Sequence, residues 1–174
     1  HLSIRRQRQM CIRDRLRGGW GASRLLPFLD FDLIAKNPKI FLGYSDITSL
    51  LNAIYAKAGV VTFHGPNVMS RWNEFTYQGM REVLFDARAS TYSNPEVIDN
   101  DLVARKYRIQ TINAGKATGH LIGGNLTLMS ALVGTSYFPN ASGAILFLED
   151  VGEAIYRVDR MMTQLKLCLL YTSP

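Results

Sequence analysis

The chain has 174 residues, of which 47% are hydrophobic and 20% charged, so it suits one ordinary folded domain or parts of two small ones and not a disordered tail. No apolar run approaches the roughly 18 residues of a membrane helix, so no membrane partner is expected. The net charge of +6 sits largely at one end, where Arg5, Arg6, Arg8, Arg13 and Arg15 stand against Asp14 alone; a nucleic-acid groove would spread its charge over a folded face with aromatics between, so no nucleic-acid partner is expected either.

In chain order, residues 1–15 read as a foreign tail. Arg8-Gln9-Met10-Cys11-Ile12-Arg13-Asp14, like Cys168-Leu169-Leu170-Tyr171-Thr172-Ser173-Pro174 at the other end, resembles translated sequencing-adapter read-through. A native basic arm is the alternative. Both cysteines, Cys11 and Cys168, fall in these ends, so residues 16–167 offer no disulfide, cysteine metal site or thiol nucleophile. His64 and His120 show no metal-ligand spacing, and no metal or cofactor is expected.

From Leu16 the text changes character. Arg17-Gly18-Gly19-Trp20-Gly21 is a glycine-rich turn, followed by a short helical reading through Leu25 and Leu26 that Pro27 interrupts. Phe28 to Ile34 is a second apolar cluster, closed by Asn37-Pro38. Lys39 to Leu42 reads as a buried strand. After Gly43-Tyr44-Ser45-Asp46 the period switches: Ile47, Leu50, Leu51, Ile54, Tyr55 and Ala58 share one helix face. Asp46 is the expected N-cap and Gly59 the expected C-terminal stop. Val60 to Phe63 reads as the next strand, which makes a βαβ unit and implies a parallel sheet.

A weaker helix is expected over Thr76 to Phe85, and Ser90 to Asn100 reads as linker. A second organised block begins near Gly119: a helix over Asn125 to Leu132 ended by Gly134, a buried strand over Ala144 to Glu149, and an amphipathic helix over Ala154 to Leu165. That last helix should turn Ile155, Val158, Met161, Met162 and Leu165 inward, the methionines as core filler, with Ile155, Val158 and Met162 left partly uncovered if the second domain is interrupted. The layout is α/β. An incomplete N-terminal parallel-sheet nucleophile domain (16–90) and a linker (91–116) precede the opening of a C-terminal α/β domain (117–167), with 1–15 and 168–174 as tails.

Ser45 is the sharpest candidate for chemistry. It lies between a strand and a helix, where a nucleophile elbow would project its hydroxyl toward helix N–H groups able to stabilise an oxyanion. The glycine two residues before the serine fits that pattern, whereas Ile47 replaces the one after it. From the pattern alone, a capping serine beside Asp46 is the commoner outcome. Glu149 ends a strand, where α/β sites gather and a carboxylate can orient a histidine; a solvated strand end is the plainer reading. The Gly18-to-Gly21 loop could lend an oxyanion N–H or be a simple turn, and His64 could be a base or a structural histidine.

Taken together, Arg17-Gly18-Gly19-Trp20-Gly21, Arg24-Leu25-Leu26-Pro27, Gly43-Tyr44-Ser45-Asp46-Ile47-Thr48, Thr62-Phe63-His64-Gly65-Pro66, Gly123-Gly124-Asn125-Leu126, Leu146-Phe147-Leu148-Glu149-Asp150 and Tyr156-Arg157-Val158-Asp159-Arg160 stand in the order seen in LD-carboxypeptidases. The resemblance covers nearly all of residues 17–167. It implies a serine peptidase with a Ser-His-Glu triad and no metal, which releases the terminal D-alanine of a murein tetrapeptide in the cytoplasm during cell-wall recycling, usually as a homodimer. On it, Ser45 matches the nucleophile and Glu149 the triad acid. The amide of Asp46, with one from the Gly19 to Gly21 loop, would form the oxyanion hole.

The family's histidine lies in a Gly-His segment beyond the Asp-Arg helix. Neither His64 nor His120 matches it, and the family's opening strand and helix have no counterpart, so the chain reads as an internal fragment, inactive by itself. The alternatives are a related microcin-immunity hydrolase of peptidyl-nucleotides, for which Trp72 is a candidate aromatic platform, and a non-catalytic α/β binding module.

Overall fold

A computed structural model describes residues 18–89, 91 and 111–170, the side chains of 169 and 170 excepted. The expected linker, most of it, and both tails up to residue 15 and beyond 170 lie outside the described residues. Two compact units are present, one formed by 1–71 with 118–174 and the other by 72–117.

In the first unit, Ala22–Phe28 forms a 3₁₀ turn. Pro27 lies inside it and does not end it, because a ring that lacks an N–H is tolerated where the backbone makes few helical bonds. Helix α1 (Phe31–Lys36) follows, with Asp30 accepting the Leu33 N–H at its start. Strand β1 is short, Leu42–Gly43, and runs parallel to β2, Phe63–His64, with Gly43 beside His64. Both strands sit a residue or more later than the apolar runs suggested. The ladder is carried beyond them by bonds from the Phe63 N–H to the Phe41 carbonyl and from the Gly65 N–H to the Gly43 carbonyl.

Helix α2 spans Thr48–Ala58 and ends as expected: Gly59 adopts a φ of 66° and its N–H bonds the Tyr55 carbonyl. Its start differs from expectation. Ser45–Ile47 forms a separate 3₁₀ turn, and Asp46 does not cap the helix. The α2 face with Leu50, Leu51 and Ile54 packs with Ala22, Leu26 and Phe41 into the main core, which Leu132 joins from the second half of the chain.

Strand β3 (His120–Asn125) pairs in parallel with β4 (Ala144–Glu149), from His120 beside Ala144 to Asn125 beside Glu149. β3 carries only two branched apolar residues before a glycine pair, which hid it in the sequence. The glycines are needed: a Cβ on Gly123 would lie 1.8 Å from the Phe147 carbonyl oxygen, and φ there is 145°. β4 has the expected bounds but is only half buried, with Leu146 exposed.

Helix α4 (Leu126–Leu132) starts at Asn125, whose side chain accepts the Leu128 N–H. Helix α5 spans Ile155–Leu170 and so runs into the segment read as a foreign tail. Met161 and Leu165 pack on Leu126 with Val158 beside them, but Ile155 (88% exposed) and Met162 (44%) do not turn inward. No element among the described residues covers that side of α5.

In the second unit, helix α3 (Glu74–Leu84) starts two residues before the expected Thr76, because Asn73 caps it by accepting the Thr76 N–H. None of its residues is buried. No helix among the described residues is long and apolar enough to cross a membrane.

Candidate active site

Parallel strands deliver their following residues to one edge, the carboxyl end, where α/β sites form. β1 delivers Ser45 there. Ser45 is one of two described non-glycine residues with positive φ, at 60°, a conformation that costs an L-residue about 1–2 kcal/mol. The strand-to-turn-to-helix geometry of a nucleophile elbow is therefore present. Ile47 folds back over the strand end so closely that a Cβ on Gly43 would lie 2.9 Å from its Cγ2. That contact leaves no room for a side chain at position 43.

The glycine-rich loop lies against the elbow. A Cβ on Gly18 would come within 3.0 Å of the Ser45 Cβ and 3.1 Å of its Oγ. Gly21 adopts a φ of 99°, and the Ala22 N–H donates to the buried Asp46 carboxylate at 2.8 Å. Gly19 and Gly21 thus stand in a loop that touches Ser45, while Trp20 is exposed with the Arg24 guanidinium 5.6 Å from its ring centre.

β4 delivers Glu149 to the end of its own ladder, beside Asn125. Asn125 is tied to the serine's helix: its N–H donates to the Thr48 hydroxyl at 3.0 Å, and the Asn52 amide donates to the Gly123 carbonyl at 2.8 Å. Thr48 is wholly buried and stands three residues after Ser45. Ser45 and Glu149 are therefore linked through Thr48 and Asn125.

Glu149 Oε1 is buried and has no hydrogen-bond partner among the described residues. Burial, and then the charge of Asp150, push its carboxyl above the usual range, against the Asn125 amide, which lowers it. Asp150 behaves in the opposite way. Burial raises it, but the Val151 N–H, the Thr127 hydroxyl and N–H and the Asn125 amide outweigh burial and hold it low. The Asp150 carboxylate, by accepting the Thr127 N–H and hydroxyl, orders the α4 start.

His64 stands beside Gly43 across the ladder, with its ring edge-on to Phe147 at 5.2 Å. Burial on that side lowers its pKa. Gly124 makes room for it, since a Cβ there would press on Thr48 Oγ1 at 2.6 Å and His64 Nδ1 at 3.2 Å. No hydrogen bond joins His64 to Ser45 or Glu149. His120 is at the amino end of β3, about 16 Å along the strand from Asn125 at the usual rise per residue, with its ring by Tyr55. The sequence reading missed Thr48, Asn52 and Asp150. The available signal was polar: Thr48, Ser49 and Asn52 stand among the apolar residues of the first half of α2 and are all buried.

Residues 11–65 match the model of the LD-carboxypeptidase N-terminal domain, and residues 118–173 that of the LD-carboxypeptidase C-terminal domain. The chain is 39% identical over 150 residues to the probable murein peptide carboxypeptidase of Bacillus subtilis (strain 168), covering 86% of this chain and 45% of that protein. It is 35% identical over 178 residues to the microcin C7 self-immunity protein MccF of Escherichia coli, covering 90% and 52%. The crystal structure of muramoyltetrapeptide carboxypeptidase from Oxalobacter formigenes superposes with a TM-score of 0.67 at 36% identity, covering 88% of this chain and 50% of that one. The chain spans about half the length of the curated relatives it matches. With one family domain matched over the segment that carries Ser45 and the other over the segment that carries Glu149, the chain belongs to the LD-carboxypeptidase family.

Proposed function

We propose that the protein is a serine-type LD-carboxypeptidase that releases the terminal D-alanine of murein tetrapeptide. In this reading Ser45 is the nucleophile and Glu149 the triad acid, and the amide of Asp46 with one from Gly19 to Gly21 forms the oxyanion hole. The observation that carries it is the left-handed Ser45 at the strand-to-helix turn with Gly18 packed on its side chain. Strain of this kind at a reactive hydroxyl is a signature of function. The unpartnered Oε1 of Glu149 supports it further, as an acceptor that suits an imidazole N–H. The work would be done in the cytoplasm, in cell-wall recycling, by a homodimer.

The base in this reading is the histidine of the family's Gly-His segment. Residues 1–174 by themselves are then expected to give no turnover, and a chain joined to that segment is expected to release D-alanine from tetrapeptide. Ser45→Ala and Glu149→Gln should each abolish the release. D-alanine release by residues 1–174 alone would refute the assigned base, and no release from the joined chain would refute the carboxypeptidase reading.

The 35% identity to MccF favours one second reading, hydrolysis of a peptidyl-nucleotide. Cleavage of a peptidyl-adenylate in preference to tetrapeptide would select it. Binding of either compound without cleavage by the joined chain would select a non-catalytic module.

A further inference from the structure

An aspartate just before a helix ordinarily accepts an N–H of that helix. Asp46 does not. Helix α2 begins two residues later at Thr48, and the Ile47 cap position makes no side-chain bond. The Asp46 carboxylate reaches instead to a segment 24 residues away and accepts the Ala22 N–H at 2.8 Å, in the buried interior.

Ala22 is the first residue of the 3₁₀ turn Ala22–Phe28, and the residue at its cap position is Gly21. Glycine permits the φ of 99° required there but has no side chain to satisfy the first N–H groups of the turn. Asp46 supplies that acceptor from another element, with a charge of the sign a helical N-terminus favours. Its main-chain carbonyl is held in turn by the Ser49 hydroxyl at 3.0 Å. The bond therefore ties the far end of the glycine loop to the residue after Ser45, while Gly18 at the near end packs on Ser45 itself.

Resting on the reading of Ser45 as nucleophile, the geometry points to the Asp46 side chain as a positioning residue that clamps the Gly18-to-Gly21 loop onto the nucleophile elbow and so sets the oxyanion site. This role is separate from that of its backbone N–H. It predicts that the loop loosens when the carboxylate is removed, although the elbow keeps its own turn through the Ile47 N–H to Tyr44 carbonyl bond.

The test uses residues 1–174 with Asp46→Ala, Asp46→Asn (which keeps an acceptor oxygen) and Ser45→Ala. Amide exchange in the unaltered protein comes first. The Ala22 N–H should exchange at least about a hundredfold more slowly than those of Gly19 and Trp20, as expected for a buried bond beside an open loop. Asp46→Ala should remove that protection and Asp46→Asn should keep most of it. Exchange of Ala22 as fast as that of Gly19 in the unaltered protein overturns the clamp, whether or not any variant folds.

The second readout is taken on the chain joined to the Gly-His segment, so that the base of this reading is present. It is affinity for a peptide ending in an L-α-aminoboronic acid, whose tetrahedral adduct with a serine hydroxyl mimics the oxyanion intermediate. Ser45→Ala should abolish the tight component. Asp46→Ala should weaken it by about tenfold, a fraction of the hundredfold or more that follows outright loss of an oxyanion donor, and Asp46→Asn should restore it. Equal affinity in Asp46→Ala and the unaltered protein overturns the proposal. Equal affinity in Ser45→Ala and the unaltered protein instead overturns the nucleophile reading, and amide exchange at Ala22 then still decides the clamp.

Discussion

Replacing Thr48 by valine tests the link between the two halves of the site. Valine matches threonine in shape but carries no acceptor, so the Asn125 N–H would be left without its partner at 3.0 Å. Thr48 is fully buried and Asn125 nearly so, which denies the orphaned N–H a water in exchange. A buried donor left unpaired costs about 1–3 kcal/mol. For a chain of this size each kcal/mol lowers the melting temperature by about 2–4 °C, giving an expected fall of about 2–12 °C. Thr48→Ser is the control. It keeps the oxygen and loses one methyl, at about 0.8 kcal/mol, so it should melt above the valine variant. Thermal unfolding followed by circular dichroism ranks the three proteins. A valine variant as stable as the parent, or more stable than the serine variant, would show that apolar packing and not the Thr48–Asn125 bond joins the serine's helix to β3.

Ser45→Gly should raise stability by about 1 kcal/mol, because glycine occupies a φ of 60° without the cost borne by serine; a fall in melting temperature would mean that Ser45 is not strained. For Glu149, whose folded-state pKa is raised, the favourable contribution is full below the ordinary glutamate range and is lost as pH rises through the raised value. The stability of Glu149→Gln relative to the parent should therefore grow as pH is raised from about 4 toward neutrality, and parallel melting curves across that range would contradict the shift. Gly123→Ala places a Cβ 1.8 Å from the Phe147 carbonyl oxygen at a positive φ, so it should part β3 from β4 and yield little folded protein. Recovery of a soluble variant with the parent's melting temperature would refute that register.

Features that depend on neighbours along the chain were legible before any fold was known. The period from Ile47 to Ala58 specified α2, Gly59 stopped it, and the apolar run from Ala144 specified β4 to the residue, because each signal repeats within a few positions. The order of short motifs also carried the family, and with it the choice of Ser45 and Glu149. Sequence could not assign the bonds that cross between elements. Asp46 has the character of a cap at its own position, yet 24 residues earlier the chain offered an N–H above a glycine that could not cap itself, and the carboxylate went there. β3 was invisible because its glycines answer to Phe147, Thr48 and His64 and not to their sequence neighbours. Ile155 and Met162 fit the inward face of a helix by period and are expected to be partly uncovered in an interrupted domain; both are exposed, and among the described residues no element faces them. Propensity and period act over a few residues, whereas the partner of a buried polar group is chosen by whichever segment folding brings within 3 Å. That choice is made in the folded chain alone.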